Sequence, residues 1–312
     1  MLSRLLRTAF RMLLTFFVIV TLVFITTRLS GSPLDFVIGE GMSVEDRAIM
    51  IRYYELDRSL GEQYRAFLRA FFDGEFGLSF IERRPVADMV AERLWPSAQL
   101  LFSATAVTLL VAIPLGIIAA VQRKSWVGSA VMAFAFLGYA VPNFVLAVFL
   151  VLVFAFSLNW LPVVGNGTPA HFILPTITLA AAMIAAVMRF TRNAMLDVLG
   201  QDYMRTARAK GLPEDTVILK HGLRNAGITI LSVVGLQVAA LAASGSVVVE
   251  SIFAWPGIGD LLVNAAIRRD YPVLQFGVLT VALAVLFINA AIDFAYAWVD
   301  PRLRHDGGEA GK

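Results

Sequence analysis

The stretch LLFSATAVTLLVAIPLGIIAAV, from Leu100 to Val121, contains no charged residue and ends at Gln122-Arg123-Lys124. A helix needs about 20 mainly apolar residues to cross the hydrocarbon core of a bilayer. The whole chain has a similar character, since 58% of its 312 residues are hydrophobic, only 16% are charged and the mean hydropathy is +0.75. A soluble domain rarely has such a composition, so we interpret the chain as an all-α integral membrane protein.

Five further apolar stretches bring the predicted number of membrane helices to six. They cover about residues 11–27, 128–158, 172–187, 226–253 and 273–299. Pro142 and Pro175 fall inside two of these stretches, and we expect the helices to tolerate them because neighbouring groups can satisfy the freed carbonyls. The first stretch could also be a signal peptide, but Arg28 directly after it favours an uncleaved anchor.

Basic residues indicate how the chain crosses the membrane. They concentrate in residues 4–11, 123–124, 189–224 and 302–304, which all fall on one side if there are six helices. The positive-inside rule then places both termini in the cytoplasm. The long segment 28–97 lies on the other side, with 9 basic and 12 acidic residues. Its residues 44–60 and 60–72 have helical spacing, which predicts a small helical extracytoplasmic insertion.

The sequence lacks the motifs of several catalytic and metal-binding classes. It has no G-x-x-x-x-G-K-[ST] nucleotide motif, no G-x-S-x-G and no cysteine. The histidines, His171, His221 and His305, do not have the spacing of metal ligands. We therefore predict that the chain is not an enzyme, has no catalytic or metal site and does not hydrolyse ATP by itself.

Asp293 is an ionisable residue within the sixth predicted helix, one turn after Asn289. An intramembrane carboxylate is a functional hypothesis by default, so one alternative function is an ion-coupled secondary transporter or channel that uses Asp293. A structural role is the other interpretation, because Asp300 and Arg302 follow about two turns later, where Asp293 could form an ion pair. No internal repeat is evident between the halves of the chain, which disfavours the secondary transporter.

Small and polar residues recur along the fifth predicted helix. Glycine or alanine occupies every fourth position from 235 to 243, with a glutamine and two serines nearby. Small residues let helices pack closely, and they can also line a narrow path, so both roles stay open at each position. For the helix as a whole we expect a translocation path lined by Gly235, Gln237, Ala239, Ala243 and Ser246.

A hydrophilic segment, YMRTARAKGLPEDTVILKHGLRN at 203–225, separates two apolar stretches. On a helical wheel its aromatic and small residues share one arc, away from Arg205 and Arg208; they are Tyr203, Met204, Ala207 and Gly211. Such a ridge could enter a groove of another protein, and Gly211 followed by Pro213 predicts the end of the helix. A plain cytoplasmic loop whose basic residues only fix topology is the alternative.

This segment resembles the cytoplasmic EAA loop of ABC importer membrane subunits, an E-A-A-x-x-x-G pattern that docks on the ATPase. YMRTARAKGL at 203–212 and KHGLRNA at 220–226 are similar to the dipeptide/oligopeptide/nickel permease family. Other stretches agree in the same order: LD (56–57), QY (63–64), GEFGLS (74–79), RLWP (93–96), PNF (142–144), WLP (160–162), VESIFAWPGIG (249–259), DYP (270–272) and DPR (300–302). Arg205, Thr206 and Ala207 stand at the EAA positions, so only Ala207 and Gly211 match the general pattern.

The resemblance implies the type I ABC importer permease fold. Residues 1–28 would form the cytoplasmic N-terminus and first helix, 29–97 the extracytoplasmic insertion, 98–299 the transmembrane core with a coupling loop at 198–224, and 300–312 a cytoplasmic tail. The implied function is that of a permease subunit, half of the pathway of an ATP-driven importer of peptides or a related solute. Relatives carry dipeptides, oligopeptides, nickel chelates, glutathione or sugars.

The resemblance also implies partners and site residues. The partners are a second homologous permease, two ATPase subunits that bind ATP and Mg²⁺, and an extracytoplasmic solute-binding protein, in a bacterial or archaeal cytoplasmic (inner) membrane; no nucleic acid is expected. The implied coupling residues are Tyr203, Arg205, Ala207, Arg208, Gly211 and Leu212. The loop expected to meet the binding protein contains Glu250, Phe253, Trp255, Pro256 and Gly257, although an interfacial aromatic belt is the alternative.

Overall fold

The computed structural model describes residues 2–29, 51 and 57–299. Apart from an isolated bridge between Leu78 and Pro85, the regular elements of these residues are helical. They are α1 (Leu2–Leu29), α2 (Leu60–Asp73), α3 (Val86–Val121), α4 (Trp126–Ala140), α5 (Asn143–Leu150), α6 (Ala170–Leu199), α7 (Asp202–Ala209), α8 (Glu214–Thr216), α9 (Arg224–Ala240), α10 (Val247–Ile252), α11 (Ile258–Ile267) and α12 (Tyr271–Val299). Wider π-helical turns follow α5, α8 and α9, at Val151–Ser157, Val217–Leu223 and Leu241–Gly245.

Some predictions concern residues outside the described part of the chain. Most of the predicted helix at 44–60 falls there, and the tail 300–312 with the DPR stretch at 300–302 falls there entirely. The predicted helix at 60–72 is confirmed by α2. Its N-terminus is a capping box in which Ser59 and Glu62 bond to each other's backbone, and its C-terminus is Gly74 in the left-handed conformation.

Five helical segments of the described chain are long and apolar enough to cross a membrane. They are Thr8–Leu29, Val86–Val121, Ala170–Leu199, Glu214–Ala243 and Tyr271–Ala295. The fourth of these includes the π-turn after α8, so the chain continues from the hydrophilic segment into the apolar helix without a break. A sixth span is reached if the bent pair α4 and α5 is counted as one crossing.

The predicted continuous helix at 128–158 is wrong, because α4 and α5 meet at an angle of 98°. Val141, directly before Pro142, has an extended backbone with φ −90° and ψ 120°. The proline ring disfavours a helical conformation in the residue before it and removes one backbone donor. Our expectation that the helix tolerates Pro142 therefore fails, whereas Pro175 does lie inside α6.

The chain divides into two compact units. Among the described residues, one comprises 98–255 and 285–299, and the other comprises 2–29, 51, 57–97 and 256–284. The predicted division into an insertion at 29–97 and a transmembrane core at 98–299 stays a prediction; the contacts group 256–284 with the N-terminal residues. This grouping arises because Ile258 and Leu261 of α11 share a buried cluster with Val86 and Val90 in the second unit.

The unit that contains 98–255 is organised around α6. Buried side chains of α6 enter two apolar clusters, one with Leu100 and Trp255 and one with Ala112 and Ala226. Small residues allow the close approaches, since a Cβ placed on Gly116 would lie 2.7 Å from Cβ of Thr191 in α6. Close packing of this kind is what replaces the hydrophobic effect as the cohesive force between helices in a membrane.

In the other unit, α2 packs along α1. The ring of Tyr64 lies 5.1 Å from that of Phe24, and the rings of Phe71 and Phe16 are 5.2 Å apart. The hydroxyls of Tyr64 and Thr21 are hydrogen bonded at 2.7 Å. These contacts hold the apolar face of α2 against a membrane-spanning helix, so its charged face points elsewhere.

Candidate functional site

The hydrophilic segment predicted for coupling is held to the rest of the chain by one buried face of α7. Met204 is fully buried and Ala207 is 5% exposed, and both share a small apolar cluster with Val217. Val198 and Leu199 at the end of α6 pack against the same cluster. The position of α7 is thus fixed by its own chain.

This burial corrects the predicted docking ridge. Met204 and Ala207 face inward and are not available to a partner in this structure. The exposed surface of the segment is formed instead by Tyr203, which is 42% exposed, with Leu212 and Leu219 at 37% and 56%. Arg205 is also exposed, where it pairs with Asp202 at 3.3 Å. The helical wheel placed Tyr203 and Ala207 on one arc. In the structure the core covers only part of that arc, so Ala207 is buried while Tyr203, near the edge of the arc, is exposed.

Gly211 ends the helical segment, as the sequence predicted. The helix stops at Ala209, and Gly211 adopts φ +75°, a left-handed conformation that favours glycine. Its N–H donates to the carbonyl of Arg208 at 2.9 Å. An added Cβ would meet no atom within 4 Å, so the backbone conformation rather than space explains the glycine within this chain.

An ion pair joins α7 to α8. Arg208 donates from Nε and Nη2 to the Glu214 carboxylate, and the shortest of these contacts, from Nη2 to Oε1, is 2.8 Å. This hydrogen bonding lowers the pKa of Glu214 and raises the pKa of Arg208. The pair closes the turn around Gly211, and the sequence contained no motif that predicted it, although the residues are only six positions apart.

The residues predicted to line a path in the fifth membrane helix do not all share one environment. Gly235 is buried, and a Cβ there would lie 2.6 Å from Cγ2 of Ile292 in α12. Ala239 is also buried. Gln237 and Ser246 are partly exposed and Ala243 is exposed. At Gly235 the structure therefore favours helix packing, the first of the two roles that the sequence left open.

The predicted loop for a binding protein also turns inward. Glu250, Phe253 and Trp255 are fully buried, and the Trp255 ring meets Phe172 edge to face at 4.5 Å. The backbone N–H of Trp255 donates to the carbonyl of Glu250 at 2.8 Å. Because these side chains serve as core, the alternative of an interfacial aromatic belt is wrong for them, and contact of this loop with a binding protein stays a prediction.

The predicted reversal at Pro256 and Gly257 coincides with the break between α10 and α11. Gly257 is the N-terminal cap of α11, with φ −99° and ψ 178°. Gly257 is buried and Pro256 is partly exposed. Neither residue therefore offers a prominent surface to a partner.

Asp293 is exposed on α12, as is Asn289 one turn before it. Neither forms a hydrogen bond or ion pair with another described residue. Asp300 and Arg302, the partners suggested for Asp293, lie outside the described part of the chain. Within that part, no three His, Asp or Glu side chains come together as metal ligands.

Sequence reasoning missed a buried carboxylate in the unit that contains α11. Asp270 is 3% exposed and accepts hydrogen bonds from the Ser79 hydroxyl and, at 3.1 Å, from the backbone N–H of Phe80. The two ends of this contact belong to the GEFGLS and DYP stretches. Both stretches match the same family pattern, which was the available signal. That pattern did not reveal that the two stretches are in contact.

A family model described as binding-protein-dependent transport system inner membrane component matches residues 112–305. The glutathione transport system permease protein GsiC of Shigella flexneri serotype 5b (strain 8401) is 41% identical over 292 residues, which cover 93% of this chain and 95% of the relative. GsiC of Escherichia coli (strain K12) matches with the same identity and coverage.

A solved structure of the MetNI methionine ABC transporter in inward-facing conformations has a similar fold. The TM-score is 0.61 at 16% sequence identity, and the match covers 70% of this chain and 99% of that chain. At this identity the similarity concerns the fold, and it agrees with the predicted type I importer permease architecture.

Proposed function

Because the chain belongs to the binding-protein-dependent transport system inner membrane components, we propose that it forms one half of the solute pathway of its importer. It is a multi-pass inner-membrane permease of an ABC importer, and its relatives are transport subunits rather than enzymes. The family implies ATPase and binding-protein partners. The proposed assembly has a second homologous permease and two ATPase subunits, which bind the ATP and Mg²⁺.

The coupling role is supported by the way in which α7 packs on the rest of the chain. Its inner face is fixed by Met204, Ala207 and Val217, while Tyr203 and Leu212 remain exposed beside it. An exposed apolar edge on an otherwise charged segment suits contact with another protein. A push on that edge would pass directly to α6 and α9, since both continue from the same segment. Movement of the ATPases would thus bias the permease between outward- and inward-facing states.

In this proposal the residues of the hydrophilic segment 203–225 have different roles. Tyr203, Arg205 and Leu212 contact the ATPase. Ala207 holds the helix on its own core, and Arg208 and Gly211 shape the turn that follows it. The segment lies in the cytoplasm, as the distribution of basic residues predicts.

The transported solute is proposed to be a peptide or a related small molecule. Support comes from the relative whose name specifies glutathione transport. Selection among such solutes is assigned to the binding protein. The comparisons give no support to an ion-coupled transporter that uses Asp293.

A bulky side chain introduced at position 211 tests the coupling role. Gly211→Trp places a large side chain in open space on the exposed edge. We expect uptake by the assembled importer to fall about tenfold, since overpacking an interface costs about 1–3 kcal/mol and about 1.4 kcal/mol corresponds to tenfold. Gly211→Ala is the matched control, because alanine shares the strain of φ +75° but adds little bulk. Uptake and co-purification of the ATPase are measured for both variants.

The two variants separate docking from strain. Reduced ATPase binding with Gly211→Trp and near-normal uptake with Gly211→Ala support the proposal. Unchanged uptake with Gly211→Trp would refute it. Equal losses in both variants would assign the effect to the backbone of the turn and not to an ATPase contact.

A further inference from the structure

A groove with charges of both signs runs along α2, whose Phe67 and Phe71 also line it. Its other wall is the first part of α12, from Pro272 to Leu279, and its volume is about 940 Å³. The charged side chains that line it are Arg28, Arg58, Glu62, Arg65, Arg69, Asp73 and Glu75.

The arginines of the groove offer donors to an anionic group. Arg65 and Arg69 lie one turn apart on the same face of α2, and both are exposed. Within the described residues, no ion pair joins either of them, or Arg28, to a carboxylate. Arg28 lies over the Phe24 ring, 5.4 Å from its centroid, and its Nε is buried without a hydrogen-bond partner. A buried donor of this kind calls for an acceptor.

The acidic side chains of the groove fall into two groups. Glu62 is already engaged at the start of α2, where its carboxylate accepts from the backbone N–H of Ser59 at 3.0 Å and from the Ser59 hydroxyl at 2.7 Å. Asp73 and Glu75 lie at the other end, on either side of the left-handed Gly74. The groove therefore has arginines along its middle and two carboxylates at one end.

The charged groups of the groove are spaced about as far apart as the amino group and the carboxylate of a short peptide. At about 1.5 Å of rise per residue, Asp73 lies about 6 Å along the helix from Arg69 and about 12 Å from Arg65. An extended chain spans at most about 3.5 Å per residue, so two to four residues separate an amino group and a carboxylate by a similar length. Guanidinium groups bind carboxylates through paired hydrogen bonds, and carboxylates accept from an ammonium group.

We propose that this groove binds a zwitterionic solute of the length of a short peptide, with its carboxylate on Arg65 and Arg69 and its amino group on Asp73 and Glu75. Phe76 and Phe276, whose rings stack with centroids 3.5 Å apart, form an apolar part of the wall for the solute's side chains. The inference rests on the proposed importer function for its meaning, because a groove in the segment predicted to be extracytoplasmic would then meet the solute before its transport. A phosphate of an anionic lipid would use the arginines but leave both carboxylates without a counter-charge.

The test measures binding to the full-length chain in phosphatidylcholine nanodiscs, with trialanine as the probe. Trialanine amide lacks the terminal carboxylate, and N-acetyl-trialanine lacks the amino group. We expect trialanine to bind more tightly than either derivative. Replacing both arginines (Arg65→Gln with Arg69→Gln) should weaken trialanine binding about tenfold, the equivalent of about 1.4 kcal/mol, and remove its advantage over the amide.

A second pair of substitutions tests the acidic end. Asp73→Asn with Glu75→Gln should remove the advantage of trialanine over N-acetyl-trialanine but keep its advantage over the amide. Arg83→Asn is the control, because Arg83 lies in the same unit outside the groove and asparagine tolerates its φ of +58°. Thermal unfolding of each variant shows whether the chain remains folded.

Several outcomes would overturn the inference. They are equal binding of the three peptides to the unchanged protein, unchanged binding by the arginine variant, and loss of trialanine binding when phosphatidylglycerol is added, which would identify a lipid site. Because these measurements need no ATPase or binding protein, they are independent of the coupling test. Peptide binding with normal selectivity but no ATPase association would refute the importer assembly and leave the groove intact.

Discussion

At the scale of single residues, the hydrophilic segment 203–225 combines side chains that are buried against the chain's own core with side chains that are exposed. Ala207 was expected on the docking surface because it matches the family pattern, yet it is buried against the chain's own core. An alanine at this position lets α7 lie close to Val217, so the same small side chain can be required for internal packing. Arg208, expected among the coupling residues, is bonded to Glu214 within the segment.

The Arg208–Glu214 pair predicts a pH dependence of local stability. The hydrogen bond from Arg208 lowers the pKa of Glu214 in the folded protein, so its stabilisation is present above the unfolded pKa and is lost as the pH falls through the folded one. The side chains are 40% and 54% exposed, so solvent screening limits the effect to at most about 1 kcal/mol. We expect the unfolding temperature of Glu214→Gln to lie slightly below that of the unchanged protein at neutral pH.

The comparison is then repeated in acid. The difference should vanish once Glu214 is protonated, and Asp215→Asn, next to it but outside the pair, should show a smaller difference at neutral pH. A difference that persists unchanged at acidic pH would show that the carboxylate charge is not its cause.

At the scale of helices, packing of small residues accounts for several features that the sequence left ambiguous. Gly235 was a candidate for a translocation path, but its surroundings show that α9 and α12 approach closely at this point. The neighbouring atom belongs to Ile292, whose branched side chain has few alternative rotamers. Gly235 therefore determines how near the two helices can lie.

This contact predicts a compensating pair of substitutions. Gly235→Ala should destabilise the protein by about 1–3 kcal/mol, because its Cβ would lie 2.6 Å from Cγ2 of Ile292 and a rigid neighbour must move. Adding Ile292→Ala removes that neighbour and should recover part of the loss. The measurement is thermal unfolding in detergent of both single variants and the double variant. Strictly additive effects would contradict the proposed contact.

At the scale of the whole molecule, the bend at Pro142 decides the topology. Five crossings place the termini on opposite sides of the membrane, whereas six place them on the same side. The basic segments at 4–11, 123–124 and 189–224 agree with one side only if α4 and α5 together make one crossing. The family membership and the importer fold are compatible with this arrangement.

We predict that both termini lie in the cytoplasm. Fluorescent-protein fusions at either end should be bright, because such reporters fold in the cytoplasm, and alkaline phosphatase fused after Ser157 should be active outside it. An active phosphatase fusion at the C-terminus would instead show that α4 and α5 return to the same side. Phosphatase fused after Lys124, in a basic segment, provides the inactive control.

The sequence by itself determined that this chain is a membrane protein, which stretches are helical and which family it belongs to. Length, hydropathy and ordered motifs are local properties, so Leu100–Val121 and α2 could be located without knowledge of the fold. Only the tertiary structure decided that Ala207, Phe253 and Trp255 face inward, that Pro142 bends a helix and that charges line a groove beside α2. These outcomes depend on which surfaces other segments cover, and helical spacing identifies a face without identifying its neighbour.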